Sequence, residues 1–169
     1  MKWHSSHRLR AGNLMIRVQQ EDFDVGHEIN ALRASDTGIG AICSFVGTVR
    51  ELTGEKSISS MTLEHYPGMT EKALADIEAE ANTRWPLSGS LVIHRYGKLE
   101  PGDQIVLVIT TSVHREAAFE ACQYLMDWLK TKAPFWKLEE SKGGGAGWVQ
   151  ANSSDDEAAS RWNDPESDG

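Results

Sequence analysis

The sequence lacks any apolar run that approaches the ~20 residues needed to span a lipid bilayer. Its N-terminal stretch contains histidine and arginine but no apolar segment, so we expect no secretory signal. Only two cysteines are present, Cys43 and Cys122, and they lie far apart in apolar surroundings. This usage predicts a cytoplasmic protein with two reduced, buried thiols rather than a disulfide scaffold or a membrane protein.

Common catalytic signatures are also missing. The chain has no phosphate-binding GxxxxGK loop, no GxGxxG segment and no GxSxG segment. No pair of histidines or cysteines has metal-ligand spacing, and neither cysteine belongs to a CxxC motif or has an adjacent base. We therefore expect no bound metal, no resident cofactor and no cysteine nucleophile.

An excess of positive charge is absent as well. The 17 basic and 25 acidic residues give a net charge of −8, which argues against nucleic-acid binding. Most of this charge is concentrated after position 150, where six acidic residues and one basic residue contribute −5. The rest of the chain is close to neutral, and a basic pocket there is compatible with the overall acidity.

Hydropathy and turn signals divide the chain into a flexible extension (1–13), a single α+β domain (14–151) and an acidic tail (152–169). In the tail we expect at most a short helix around Glu157–Trp162. Strands outnumber helices and do not alternate with them, which predicts a mainly antiparallel sheet with two principal helices. The predicted strands are Leu14–Val18, Gly38–Val49 (read as buried), Ile58–Tyr66, Ser90–Tyr96, Gln104–Thr111, Phe135–Glu140 and Trp148–Ala151. The predicted helices are Asp24–Arg33 with Asp24 as N-cap, a helix from about Thr70 to Trp85, and Val113–Lys132.

The longest predicted helix begins with two cations. If Thr111 or Ser112 caps this helix, His114 and Arg115 lie in its first turn, where positive charge opposes the helix dipole. The same helix end offers free backbone N–H groups, so an anionic ligand would resolve the conflict. Alternatively, both side chains are simply solvated, or Arg115 pairs with a nearby acid.

A second group of cations surrounds an Ala-Pro-Phe-Trp segment. Lys130 and Lys132 lie at the favourable C-terminal end of the helix, which is common for structural reasons alone. Lys137 follows two aromatic residues on a strand, where a charge requires a water-lined or ligand-lined cavity. A lysine that is partly desolvated beside other cations can act as acid, base or nucleophile.

Arg50 ends the strand that precedes a polar loop, so its guanidinium can bind a phosphate or remain in solvent. His65, His94 and Arg95 lie within strands and are read as structural. Residue chemistry alone therefore predicts a basic pocket for a small anionic ligand, without naming a reaction.

Five segments stand out in order along the chain: FVGTVR at 45–50, LEHYPGM at 63–69, HRYGKL at 94–99 followed by Gly102-Asp103, SVHR at 112–115 with Ala118-Phe119, and KTKAPFWK at 130–137. Together they resemble one family, the catalytic (large) subunits of molybdopterin synthase. Any one of these segments is weak evidence, but five in family order are highly specific. One departure is Asn152, which stands where the family often has an arginine, and the connection over 143–147 is unusually rich in glycine.

The resemblance implies an α/β-hammerhead-like α+β fold and a sulfurtransferase of molybdenum cofactor biosynthesis. It also implies a homodimer within a heterotetramer, in which a small ubiquitin-like subunit inserts a C-terminal thiocarboxylate. The implied substrate is cyclic pyranopterin monophosphate (precursor Z), and the product is the dithiolene molybdopterin. The family's catalytic lysines correspond to Lys130 and Lys137, and its anion-binding residues to Arg50, His114 and Arg115.

Two other interpretations remain at this point. The chain could be a docking module for a ubiquitin-like protein, which would have no need for two lysines in its groove. It could also be another enzyme acting on a pterin or nucleotide phosphate, which would not depend on a thiocarboxylated partner.

Overall fold

The computed structural model describes residues 13–34, 36–51, 57–149 and 153–163. The predicted extension before Asn13, most of the loop over 51–57 and Asn152 therefore lie outside the described residues. Within the described ranges, no helix is both long and apolar enough to cross a membrane.

Eight strands and four helices are described in these ranges. In chain order they are β1 (Asn13–Gln19), α1 (Val25–Ala34), β2 (Ala41–Thr48), β3 (Ile58–His65), α2 (Met69–Arg84), β4 (Leu87–Arg95), β5 (Gly97–Leu99), β6 (Gln104–Ser112), α3 (Arg115–Thr131), β7 (Phe135–Ser141), β8 (Ala146–Val149) and α4 (Ser153–Ser160).

The strands form two four-stranded sheets. The first sheet has the order β1-β4-β6-β2, with β1 and β4 parallel and the other pairs antiparallel. The second sheet has the order β5-β3-β7-β8 and is antiparallel throughout. The predicted α+β class with a mainly antiparallel arrangement is confirmed.

The first sheet is covered on both faces, and its central strands alternate between two cores. Leu91 and Ile93 of β4 pack toward Leu32 of α1, whereas Val92 packs against residues of α2 and α3. This alternation follows from the two-residue period of a strand. A third cluster, which includes Val49, forms the core of the second sheet.

Strand β2 is not the buried strand that its composition predicted. It is the last strand of the first sheet, so one of its edges pairs with none of the described strands, and Phe45 on it is 40% exposed. Apolar content alone does not distinguish a central strand from an edge strand, because strand order depends on pairing with distant segments. The short strand β5, which pairs with β3, was not predicted.

Helix α3 begins later than predicted, and neither predicted cap is used. His114 is the N-cap residue and makes no side-chain capping hydrogen bond. The hydroxyls of Thr111 and Ser112 instead donate to the carbonyls of Gly89 and Pro86 within the first sheet. The start of this helix therefore has no capping side chain.

The described part of the acidic tail is folded against the domain. Helix α4 starts at Ser153, earlier than the predicted short helix, and Ala159 is buried. The indole of Trp162 packs edge-on against Trp85 and Tyr124 and donates a 2.8 Å hydrogen bond to Asp127. These aromatic contacts explain why this acidic segment packs against α2 and α3.

A buried carboxyl joins α2 to the first sheet. Glu78 accepts hydrogen bonds from the Met15 backbone N–H at 3.1 Å and from the Ser90 hydroxyl at 2.5 Å. Burial raises the pKa of the Glu78 carboxyl to about 7, although both hydrogen bonds act in the opposite direction. The carboxyl is therefore partly protonated near neutral pH.

Candidate active site

A cavity of about 640 Å³ lies where the two sheets meet the C-terminal end of α3. Three of the five predicted site residues, Arg50, Lys130 and Lys137, line it. The rest of the wall is largely apolar, as expected for a site that binds a small molecule through a few polar groups. The other lining residues are Phe45, Val46, Gly47, Thr48, Met61, Leu63, His94, Ile105, Val106, Met126, Leu129, Ala133 and Phe135.

Arg50 is positioned by backbone contacts of the residue before it. Val49 is buried, its N–H donates to the carbonyl of Asp103, and its carbonyl accepts from the N–H of Gly102, both at 2.8 Å. The register of β2 against β6 shifts between Gly47 and Thr48, just before this point. Arg50 itself has no ion-pair partner among the described residues, which leaves its guanidinium available to an anion.

Lys130 and Lys137 are brought to one cavity by the break at Pro134. Lys130 lies in the last turn of α3, and Lys137 lies on β7 opposite Leu63 of β3. Thr70, which is fully buried at the start of α2, secures the connection between them. Its hydroxyl donates to the carbonyl of Pro134 at 3.2 Å and accepts from the N–H of Tyr66 at 3.1 Å.

Both lysines have carboxylate neighbours. The Lys130 ammonium lies 3.6 Å from a carboxylate oxygen of Asp155 on α4, and the Lys137 ammonium lies 2.7 Å from Glu139. The side chain of Lys130 is 56% exposed, and that of Lys137, for which the sequence predicted a lined cavity, is 38% exposed. Lys132 does not line the cavity, because its ammonium lies over the ring of Trp128 at 3.9 Å.

His94 is a lining residue that sequence reasoning missed. Its ring stacks on Phe135, with a centroid distance of 3.7 Å, and its Nδ1 lies 2.8 Å from the carbonyl oxygen of Arg95. Burial, assisted by the neighbouring His65, lowers the pKa of the His94 imidazole to about 4, although the Arg95 carbonyl acts in the opposite direction. A histidine within an apolar strand gives no sequence signal that separates a core position from a cavity wall.

A second pocket of about 480 Å³ adjoins the cavity and shares Phe45, Met126 and Lys130 with it. Both cysteines line this second pocket. Cys122 is buried, and burial together with the neighbouring Cys43 raises the pKa of its thiol. The raised pKa favours the protonated thiol, which is a poor nucleophile.

His114 and Arg115 are not brought to the cavity of their own chain. Both are exposed at the N-terminal end of α3, and Lys130 lies at the opposite end, about 22 Å away at ~1.5 Å per residue. Neither has an ion-pair partner among the described residues, so the alternative in which Arg115 pairs with a nearby acid is not seen there.

Residues 18–132 match the family model described as "MoaE protein". The chain belongs to the MoaE family. It is 54% identical to the molybdopterin synthase catalytic subunit of Pseudomonas aeruginosa over 149 residues, which cover 88% of this chain and 99% of the relative. It is 53% identical to the protein of the same name from Escherichia coli K12 over 147 residues, covering 87% and 97% of the two chains.

A solved structure of the same family has the same fold. Molybdopterin cofactor biosynthesis protein E from Burkholderia multivorans superposes with a TM-score of 0.76 at 50% identity, over 91% of this chain and 99% of that one. The resemblance predicted from the five segments is therefore confirmed, and with it the prediction that this protein is an enzyme of molybdenum cofactor biosynthesis.

Proposed function

We propose that this MoaE family member transfers sulfur from the C-terminal thiocarboxylate of a small ubiquitin-like subunit to precursor Z and so forms the dithiolene of molybdopterin. The observation that carries this proposal is the cavity where Arg50, Lys130 and Lys137 meet. A cyclic phosphate and a thiocarboxylate are both anions, and the apolar wall suits a flat heterocycle.

Lys130 is the general acid and base of this proposal. The thiocarboxylate sulfur attacks a side-chain carbon of the pterin, and the ammonium of Lys130 protonates the oxygen that leaves. Water then cleaves the resulting thioester, which releases the partner's carboxylate and leaves the sulfur on the pterin. Lys137 stabilises the negative charge that develops, and a second thiocarboxylate completes the dithiolene after the cyclic phosphate has opened.

Arg50 binds the phosphate or the carboxy-terminal end of the partner. Its free guanidinium at the cavity rim supports this role, because arginine forms two parallel hydrogen bonds with such groups.

His114 and Arg115 complete the cavity of a second protomer in this proposal. Their distance of about 22 Å from Lys130 along α3 excludes a shared site within one straight helix. A homodimer in which each chain contributes this helix end to its neighbour reconciles the predicted anion-binding role with the observed separation. Phe119, which follows on the same helix, is 62% exposed, as expected for an apolar residue at an interface.

In this proposal the sulfur comes from outside the chain. Cys122 is buried and its thiol has a raised pKa, and Cys43, the only other cysteine in the sequence, does not line the cavity that holds the lysines. A thiocarboxylated small subunit supplies the sulfur in a heterotetramer of two large and two small subunits. We place this assembly in the cytoplasm, because two free cysteines without a disulfide are typical of a protein in a reducing compartment.

Reconstitution tests the proposal directly. The purified chain is mixed with thiocarboxylated small subunit and precursor Z, and the fluorescent oxidised derivative of molybdopterin is measured. We expect product only when all three components are present. A stable complex with the small subunit that yields no product would instead indicate a docking module, and turnover without the thiocarboxylate would indicate a different enzyme.

A further inference from the structure

The charged groups of the cavity are all hydrogen-bond donors. Arginine and protonated lysine carry N–H groups and have no acceptor, so Arg50, Lys130 and Lys137 recognise anions and carbonyls. A reduced pterin also presents N–H and NH2 donors along its rings. Apart from the weakly accepting sulfurs of two methionines, only Thr48 and His94 among the described lining side chains can accept a hydrogen bond.

The tautomer of His94 is set by the backbone. Its Nδ1 lies 2.8 Å from a carbonyl oxygen, which can only accept, so Nδ1 must carry the proton. The neutral ring then has a bare Nε2, which accepts and cannot donate. The low pKa of the imidazole keeps it in this neutral form at physiological pH.

The accepting nitrogen is open to a ligand. Nε2 has no hydrogen-bond partner among the described residues. Among the described residues, Trp128 Nε1 is the one buried side-chain nitrogen or oxygen that has no hydrogen-bond partner. Because Nε2 of His94 has no partner and yet is not such an atom, it is not buried. Nε2 is therefore accessible on a ring that lines the cavity, and stacking on Phe135 fixes the plane of that ring.

We propose that His94 is a substrate-positioning residue whose Nε2 accepts a hydrogen bond from an N–H group of the pterin. This inference rests on the proposed function. The cations of the cavity bind the anionic groups of the reactants, and His94 recognises the heterocycle. Thr48 can both donate and accept, so it discriminates less well than the acceptor-only Nε2. A heterocycle with a hydrogen-bond acceptor at the same position would place that acceptor against the lone pair of Nε2. Neither group would then have a donor, which disfavours binding.

Three variants of His94 separate this role from a structural one. His94→Phe keeps an aromatic ring on Phe135 but removes the acceptor. His94→Gln places an amide oxygen near the position of Nε2, whereas the shorter side chain of His94→Asn does not reach it. His65→Phe is the matched control, because the ring of His65 also contacts this aromatic group, tilted against Tyr96 and Phe135, but does not line the cavity.

The variants are assayed as full chains with thiocarboxylated small subunit, varying the concentration of precursor Z. We expect KM to rise about tenfold in His94→Phe, the loss of one net hydrogen bond, with kcat within about twofold of wild type. His94→Gln recovers most of the affinity, His94→Asn resembles His94→Phe, and His65→Phe keeps the wild-type KM. If the phenylalanine variant does not fold, the comparison of glutamine with asparagine carries the test.

Equilibrium binding of precursor Z to each chain, measured by calorimetry without the small subunit, separates this inference from the proposed function. Weaker binding by His94→Phe in a protein that makes no product would support the role of His94 and contradict the sulfur transfer. A wild-type KM in His94→Phe, equal values for glutamine and asparagine, or a loss of kcat at unchanged KM would each overturn the inference. Wild-type chain that does not bind precursor Z would contradict both.

Discussion

The two ends of helix α3 carry cations in opposite surroundings. At the C-terminal end, Lys130 and Lys132 complement the helix dipole, and the following connection is secured by buried Thr70. At the N-terminal end, the guanidinium of Arg115 opposes the dipole, and His114 and Arg115 are both exposed next to a helix start without a side-chain cap. The C-terminal end of α3 is thus stabilised by contacts within its own chain. The N-terminal end lacks such contacts, as expected for a surface that a second chain covers.

The largest effect on turnover is expected from Lys130→Ala. Loss of the general acid should lower kcat by at least about 100-fold, since positioned proton transfer contributes ~10²–10⁴-fold. Lys132→Ala is the matched control two residues away, because its ammonium lies over Trp128 rather than in the cavity. Turnover by the reconstituted enzyme is the measurement, and similar rates for both variants would end the distinction between these lysines.

The N-terminal end of α3 is tested by mixing variants. Arg115→Ala should lower turnover by about 10- to 100-fold, the value of a charge-assisted hydrogen bond. Chains carrying Lys130→Ala and chains carrying Arg115→Ala are unfolded together and refolded. If Arg115 contributes to the cavity of the neighbouring protomer, each mixed dimer then has one intact cavity. Random pairing then restores roughly a quarter of wild-type activity. Activity that stays at the level of the separate variants would show that both residues act within one chain.

A smaller effect is expected from the carboxylate beside Lys130. Asp155→Asn removes an ion pair between partly exposed side chains, so the free energy of unfolding should change by less than about 1 kcal/mol. Because the anionic substrate no longer competes with Asp155 for Lys130, we expect KM for precursor Z to fall by about two- to threefold. The exposed neighbour Asp156→Asn serves as control, and an unchanged KM at low salt would remove Asp155 from the electrostatics of the site.

The smallest effect on substrate binding is expected from a substitution of Glu78, which lies outside the cavity. Its titration should affect the free energy of unfolding and not KM. The folded-state pKa of about 7 lies above the ordinary value of 4.5, so the folded protein binds more protons. The stability contributed by the neutral carboxyl is complete below pH 4.5 and is lost as the pH rises through 7. Wild type should lose about 3 kcal/mol of unfolding free energy from this group between pH 4.5 and pH 8.

Glu78→Gln should remove this pH dependence and leave KM unchanged, as measured by denaturant unfolding across that range. The exposed Glu80→Gln on the same helix is the control. A pH dependence that persists in Glu78→Gln would assign it to other groups.

Much of the cavity followed from local sequence signals. A short connection that contains Pro134 joins α3 to β7, and both Lys130 and Lys137 on either side of it line the cavity. Arg50 was expected at a strand end, where the backbone pairing of Val49 indeed holds it.

The features that the sequence did not reveal depend on contacts between distant segments. Phe119 fits the helical apolar stripe but is exposed, and β2 is an edge strand because β6 is its one neighbour among the described strands. Likewise, His94 reaches the cavity through the register of β4, which periodicity alone does not define.

The buried thiol of Cys122 has a consequence for chemical selectivity. A thiocarboxylate that has attacked the pterin becomes a thioester, and an ionised thiol nearby would capture its acyl group by exchange. Cys122 lines the pocket that adjoins the cavity, yet the raised pKa of its thiol keeps the sulfur protonated and a poor nucleophile. The thiol of Cys122 therefore does not compete with water for the thioester. Hydrolysis releases the partner as a free carboxylate that can be recharged with sulfur.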